Sequence, residues 1–459
     1  MDTIIRNGTI VTALETCRAD IGISGGRIEA IAGLLPDVPG ATVIDAAGKY
    51  VMPGGIDVHV HLELPFCGTV SKDDFANGTK AGACGGVTML IDFAIQSRGK
   101  SIMEAVEGRR KLADGRVATD YALHGGITDW TTAASEFDSV VDYGIPSFKM
   151  FMVYRSEGWI ADDGTLLQAL EATSRNGARI LVHAENDDAI QMLLRKYGPQ
   201  ARELGAWGHA ITRPDYTEAE AISRAIRWAE ETHGRLYVVH MSTGKGNDEV
   251  LAGQARGVDV QAETCPQYLL LTEELFKGEN GHLYATCPQL RHADNCRRLW
   301  KGLQERSVQV VGTDTCTFDT KQKAMWNGDF RKIPFGMPGV ETMLPLMYTF
   351  GVGQGYISLN RMVELVSTNP ARLFGMYPQK GTIAVGSDAD IVVWDPDREV
   401  TLSTSMLQTN CDWSPFEGYK LKGYPHLTLS RGRVVAKEGK FVGEEGWGRF
   451  VKRRPGGTL

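Results

Sequence analysis

The chain has 459 residues, 42% of them apolar and 23% charged, and a net charge of −7. This is the balance of a soluble globular protein, and its acidic sign disfavours nucleic acid or an anionic membrane as a general partner. No run of about 18 apolar residues predicts a membrane span, the start "MDTIIRNGTIV" lacks the core of a secretory signal, and eight scattered cysteines without a CxxC pair point to a reducing, cytoplasmic setting.

In chain order, the first segment reads as β structure. "TIIRNGTIVT" carries the hairpin signal Asn7-Gly8, "ADIGISGGRIEAIAG" repeats it around Gly25-Gly26, and "ATVIDAAGKYVMPG" continues it. The end of the chain reads alike in "GTIAVGSDADIVVWD" and "LTLSRGRVVAKEGKFV". Residues 1–53 and 376–459 are therefore expected to build one β-sandwich module from both ends of the chain. The basic run Lys452-Arg453-Arg454 is expected to be a solvated tail.

Residues 54–375 alternate strand and helix. Eight strand candidates follow in order: "GGIDVHVHL", "GVTMLIDF", "TDYALHGGIT", "IPSFKMFMV", "ARILVHAEN", "GRLYVVHMST", "VDVQAETCPQ" and "SVQVVGTDTC". Helical patterns such as "GTLLQALEATSRNG" and "TEAEAISRAIRWAEETHG" lie between them. Eight β-α alternations predict an α/β protein with a (β/α)8 barrel. An open doubly wound sheet would need a phosphate-binding glycine loop after an early strand, and none is present; "TGKGN" is no P-loop because Gly246 replaces the required Ser or Thr.

Chemistry in such a barrel gathers at the C-terminal ends of its strands. His59 and His61 end the first strand, Lys149 lies in the fourth, His183 and His240 end the fifth and sixth, and Asp314 ends the eighth. His59 and His61, two apart on a strand, share a face and reach one ion. One H-x-H is weak, but four histidines and an aspartate at one end of a barrel predict a metal site. The remaining histidines, including His124 and His209, read as core, structural or solvated.

Lys149 sits among Phe148, Met150, Phe151 and Met152, where a lysine is rare unless its charge is compensated. Burial beside metal favours the neutral amine. Three roles remain open: a satisfied structural lysine, a Schiff-base nucleophile, or an amine carboxylated by CO2 to a carbamate. The carbamate supplies one oxygen to each of two metals, with His59, His61 and Asp314 on one and His183 and His240 on the other.

At these residues the chain resembles the hydantoinase/dihydropyrimidinase family of the amidohydrolase superfamily. The resemblance runs through "PGGIDVHVHLELPFCGTVSKDDF", "SFKMFMVYR", "LVHAEN", "VVHMST", "AETCPQYL", "GTDTCTF", "IPFGMPGVE" and "NPARLFGMYPQKGTIAVGSDADIVVWD". It implies a binuclear centre, usually zinc with manganese or cobalt as alternatives, held by His59, His61, carboxylated Lys149, His183, His240 and Asp314. It implies a homotetramer or homodimer, a small cyclic amide as substrate, and Tyr154 steadying the oxyanion. It also implies a reaction: a metal-bridging hydroxide opens the ring to an N-carbamoyl amino acid, with Asp314 passing the proton to the leaving nitrogen.

Three positions depart from the family pattern. Thr315 follows Asp314 where His is frequent, Cys287 stands where Ser is common, and Phe335 where Asn is common. The last two positions bind substrate in the family mainly through main-chain groups, so these departures bear on the substrate more than on the reaction. Dihydroorotase-like relatives carry an arginine where this chain has Glu63, which disfavours a carboxylate-bearing ring. An allantoinase-like ureide hydrolase and a non-enzymatic scaffold of the same fold are the alternatives; the full ligand set argues against the scaffold. Ring substituents are expected to meet Leu64 to Phe66 and Phe93 to Gln96.

Overall fold

Short apolar runs bounded by glycine and polar turns set the eight barrel strands. A computed structural model describes residues 1–459. The strands are β1 (Gly55–Val60), β2 (Val87–Ile95), β3 (Asp120–Gly126), β4 (Ser147–Phe151), β5 (Arg179–His183), β6 (Leu236–Val238), β7 (Val260–Thr264) and β8 (Val310–Val311). Each pairs in parallel with its neighbour in chain order. A further parallel bridge joins Val60 to Thr315, so the chain beyond β8 closes against β1. All five residues of β4 and of β5 are buried, as strands covered on both faces must be.

The helices between them follow their own local signals. In Asp163–Asn176 the buried residues Leu166, Ala169, Leu170 and Thr173 recur at helical spacing. Asp162 caps its start by accepting from the Thr165 amide, and Gly177 ends it at φ 72°, a left-handed conformation that suits glycine.

Both chain ends share one seven-stranded sheet, in which Ile391–Thr401 pairs with Tyr50–Pro53 and with Lys420–Ser430. A four-stranded sheet, ordered Arg27–Ala32, Asp20–Ser24, Thr3–Arg6 and Thr42–Asp45, faces it. Ile21 and Ile23 of the smaller sheet and Val51, Ile391 and Val393 of the larger meet in a common apolar core, the expected sandwich. No helix is long and apolar enough to cross a membrane, and all eight cysteines are free.

Two features join this module to the barrel. Lys380, 1% exposed, places its ammonium 2.9 Å from Asp120 of β3, 3.1 Å from Asp388 and 2.5 Å from Asp390. Burial opposes that charge, but the carboxylates of Asp390, Asp120 and Asp388 more than offset it and hold the ammonium above its ordinary value. The second feature corrects an expectation. In the Lys452-Arg453-Arg454 run, Lys452 and Arg454 are exposed as expected, but Arg453 is only 2% exposed. Its guanidinium donates to the Leu123 carbonyl and, at 2.9 Å, to Ser147 Oγ, while its own amide donates to Gly144 O. The Leu123 carbonyl and the Ser147 hydroxyl take donors there, and a five-donor side chain supplies them.

Candidate metal centre and substrate pocket

The candidate ligands converge at the C-terminal mouth of the barrel. His59 Nε2 lies 3.2 Å and His61 Nε2 3.3 Å from Asp314 Oδ1. Lys149, 2% exposed, brings Nζ within 2.9 Å of His59 Nε2. Opposite, the rings of His183 and His240 stand 4.5 Å apart, and His240 lies 5.2 Å from His59. Every named ligand therefore falls in one cluster.

The backbone at these positions is unusual. Tyr154, His240 and Asp314 adopt φ of 70°, 39° and 54°, in the left-handed region that non-glycine residues seldom occupy. Each follows a strand end, where the kink turns its side chain inward. Three such conformations in one pocket mark a place where fold stability is given up for geometry.

Burial and mutual repulsion keep the centre short of protons. Burial pushes His59, His183 and His240 below their ordinary values, and the charge on Lys149 adds to this. Burial likewise pushes the Lys149 amine down, against the attraction of Asp314 and Glu263. The histidines are thus neutral, the form that binds cations. His61 Nδ1 and both ring nitrogens of His240 are buried without a hydrogen-bond partner. A buried imidazole left wholly unsatisfied is costly, and a divalent cation is what a neutral histidine cluster would satisfy.

Supporting groups hold the ligands in place. Glu263 of β7 contacts His59 Nδ1 and accepts from the His240 amide at 3.0 Å and from the Tyr237 hydroxyl at 2.9 Å. It orients His59 so that Nε2 faces Lys149. Asp57 accepts from Thr313 Oγ1 at 2.5 Å and from the Thr313 amide at 3.1 Å, tying β1 to the segment carrying Asp314. Glu185 accepts from Arg213 at 3.1 Å and Cys287 Sγ at 3.1 Å, and lies 2.8 Å from His183 Nε2. Burial opposes the Glu185 charge, yet Arg213 and His183 keep the carboxylate ionised.

Sequence reasoning passed over Glu185, Glu263 and Arg213. Two of them carried a signal. Glu185 stands two residues after His183, and Glu263 is a charge inside an apolar strand, the same anomaly that singled out Lys149. Arg213 carried none, since only the fold brings it to Glu185.

The pocket over this centre has a volume of about 40 Å³ and is lined by His61, Lys149, Tyr154, His183, His240 and Asp314. Cys287 and Phe335 form part of its wall. Leu64, Phe66 and Ile95 line it as the strand-end loops predict, and Trp159 joins them from beyond β4. Phe93 packs instead against His59 and His61, and Gln96 is spent on Lys100 O and Thr132. Glu63 faces Arg116 at 3.3 Å and takes no part in the pocket. Thr315, which stands where relatives often have His, bonds Thr313 Oγ1 at 2.8 Å. His124 is core, 2.6 Å from Ser147 Oγ and 3.0 Å from Val58 O.

Known proteins share this fold over its full length. The amidohydrolase family model matches residues 50–435. A D-hydantoinase of Ralstonia pickettii is 45% identical over 99% of both chains, and one of Rhizobium radiobacter is 44% identical over 99% of both. The crystal structure of dihydropyrimidinase from Brevibacillus agri NCHU1002 superposes with a TM-score of 0.98, at 41% identity and 100% coverage of both chains. The family match over most of the chain, with full-length relatives above 40% identity, places this chain in the amidohydrolase family, among its hydantoinase and dihydropyrimidinase members.

Proposed function

We propose that this chain is a metal-dependent cyclic amidase that opens hydantoin or 5,6-dihydropyrimidine rings to N-carbamoyl amino acids. The observation that carries this reading is the unsatisfied histidine cluster on either side of Lys149. Its donor set fits two divalent cations, with His59, His61 and Asp314 for one and His183 and His240 for the other. Lys149 would join them as a carbamate: burial lowers its amine, which would add to CO2, forming an N–C bond and losing a proton, and so supply an anionic ligand between the two histidine sets. Divalent cations bound there, zinc in the first instance, supply Lewis acidity to a carbonyl and acidify water.

The chain's own groups perform the rest. Asp314 Oδ1 sits at the junction of the two β1 histidines and faces the pocket. It is placed to take a proton from the attacking water and return it to the leaving ring nitrogen. Burial raises the Tyr154 hydroxyl well above its ordinary value, so it stays protonated and donates to the oxyanion of the tetrahedral species. The segments bearing Cys287 and Phe335 orient the ring through main-chain groups. Aromatic walls from Phe66, Phe151 and Trp159 keep bulk water out.

The free thiols support a reducing, cytoplasmic setting. A homotetramer, with a homodimer as the alternative, is the assembly light scattering would test. The functional test is ring opening of hydantoin, 5-substituted hydantoins, dihydrouracil and allantoin by metal-replete protein. Turnover of the first three is expected. Turnover of allantoin alone moves the reading to the ureide hydrolases, and turnover of none removes it.

A further inference from the structure

A second chamber of about 390 Å³ adjoins the catalytic pocket, and the two cavities share Phe66, Tyr154 and Phe335 as walls. The chamber is nearly ten times the larger. Its walls are mixed, with Val153, Leu194, Phe330 and Ile333 apolar and Glu157, Asp187 and Lys332 charged. Nothing in the catalytic reading uses it.

Phe335 is held on both faces. Its ring stacks on His209 at 4.8 Å and 23°, and the Arg213 guanidinium lies 5.5 Å from its centroid on a cation–π approach. Both supports are fixed in turn. His209 Nε2 bonds Thr286 O at 2.8 Å, and Arg213 is tied to Glu185.

The backbone beneath is clamped as well. Lys323, wholly buried and without a carboxylate partner, donates to Pro334 O at 2.8 Å and to Ala285 O at 2.8 Å. One ammonium thus buckles the segment bearing Phe335 to the segment bearing Cys287. Gly336 adds a second tie, donating to Ala285 O at 3.0 Å. Its φ of 149° and the 2.2 Å that a Cβ would leave to Cys316 O admit only glycine there.

We propose that Phe335 is a specificity-determining residue: a fixed partition that closes the catalytic pocket off from the adjoining chamber, so that the enzyme selects rings with small substituents and excludes aryl ones. The proposal rests on the cyclic-amidase reading above. The catalytic pocket is the tighter of the two, and the space beside it that an aryl arm would need lies beyond Phe335, against Val153, Leu194, Phe330 and Ile333. The partition is a sieve and not a swinging lid, because ring and backbone are both held from behind.

The test compares the unchanged protein with Phe335→Ala on hydantoin and 5-phenylhydantoin, both loaded with metal. The ratio of kcat/KM for the phenyl substrate over hydantoin is expected to rise about tenfold or more, the scale on which pocket shape discriminates apolar groups. The gain should come through KM of the phenyl substrate. Any smaller rise, or a fall, overturns the sieve. Hydantoin turnover by the unchanged protein with no such shift leaves the cyclic-amidase reading standing and removes the partition alone. Absence of turnover in both proteins removes both. Should Phe335→Ala not fold, Phe335→Leu keeps an apolar filler and carries the same test with 5-isopropylhydantoin.

Discussion

Two regions of this molecule gather ligand-type side chains around a buried lysine, and they do opposite things with it. At the barrel mouth, His59, His61 and Asp314 meet beside Lys149; at the seam between barrel and sandwich, Asp120, Asp388 and Asp390 meet around Lys380. Both sets lie close enough together to hold an ion. At the seam the ion is already built into the chain: the Lys380 ammonium touches all three carboxylates, and Arg431 reaches Asp120 at 3.2 Å. At the mouth no carboxylate bonds the Lys149 ammonium in this way, and His61 Nδ1 and both His240 nitrogens go without partners. Proximity of ligand atoms is therefore a poor guide by itself. Unmet bonding capacity separates a site that awaits something from a joint that is complete.

The largest effect that would break this contrast is expected at Lys149. Lys149→Ala should lose ring opening by about a thousandfold or more, a barrier of about 4 kcal/mol, together with bound metal read by elemental analysis. Two metals per chain and full activity would falsify the carbamate. Short carboxylic acids are expected to restore part of the loss by standing in for the missing anion.

The seam should respond in stability and not in chemistry. Lys380→Met leaves three carboxylates facing one another, and denaturant unfolding should show a loss of about 3–5 kcal/mol, the cost of breaking a buried ion cluster. Metal content at the mouth and turnover per folded molecule should hold. A collapse of activity in the folded fraction would show that the two regions are coupled.

The same variant offers a finer test. Without its ammonium the seam becomes an unsatisfied anionic site, so calcium or manganese should restabilise Lys380→Met by about 2.7 kcal/mol at a hundredfold excess over Kd. The unchanged protein should show no such response from this region. If both proteins gain equally, the seam was never a closed joint.

Lys323 supplies the intermediate case, a buried lysine with only carbonyl partners. Burial lowers its value from 10.5 to about 7. Between those values the unfolded chain holds the proton and the folded one does not, so stability rises with pH from about 7 towards 10.5 and is lost as pH falls through 7. Lys323→Met should remove a slope on the order of 1 kcal/mol per pH unit over that window, seen by comparing unfolding of the two proteins. Parallel curves would mean that this amine stays charged.

The barrel, and the meeting of the candidate ligands at its mouth, were legible because they obey local rules. Period-two apolar runs place His59 beside His61, and a lone charge in "SFKMF" announces itself. Groups that act by contact across the chain were not legible. Arg213 is unremarkable in "ITRPDY", and it matters only because the fold delivers it to Glu185 and Phe335. Arg453 misled for the same reason: three basic residues in a row look like a solvated end until the barrel floor supplies carbonyls for the middle one. The chamber behind Phe335 was equally invisible, since a void has no residue of its own.

Arg453 also bears on how the molecule is made. It reaches the Leu123 carbonyl and Ser147 Oγ, and Ser147 opens the strand that carries Lys149. Its segment is synthesised after every barrel strand. Until residues from the far end of the chain arrive, the Leu123 carbonyl and the Ser147 hydroxyl lack this donor. Closure is thus a late event, and a nascent chain arrested after β8 should retain a base accessible to solvent and to proteases.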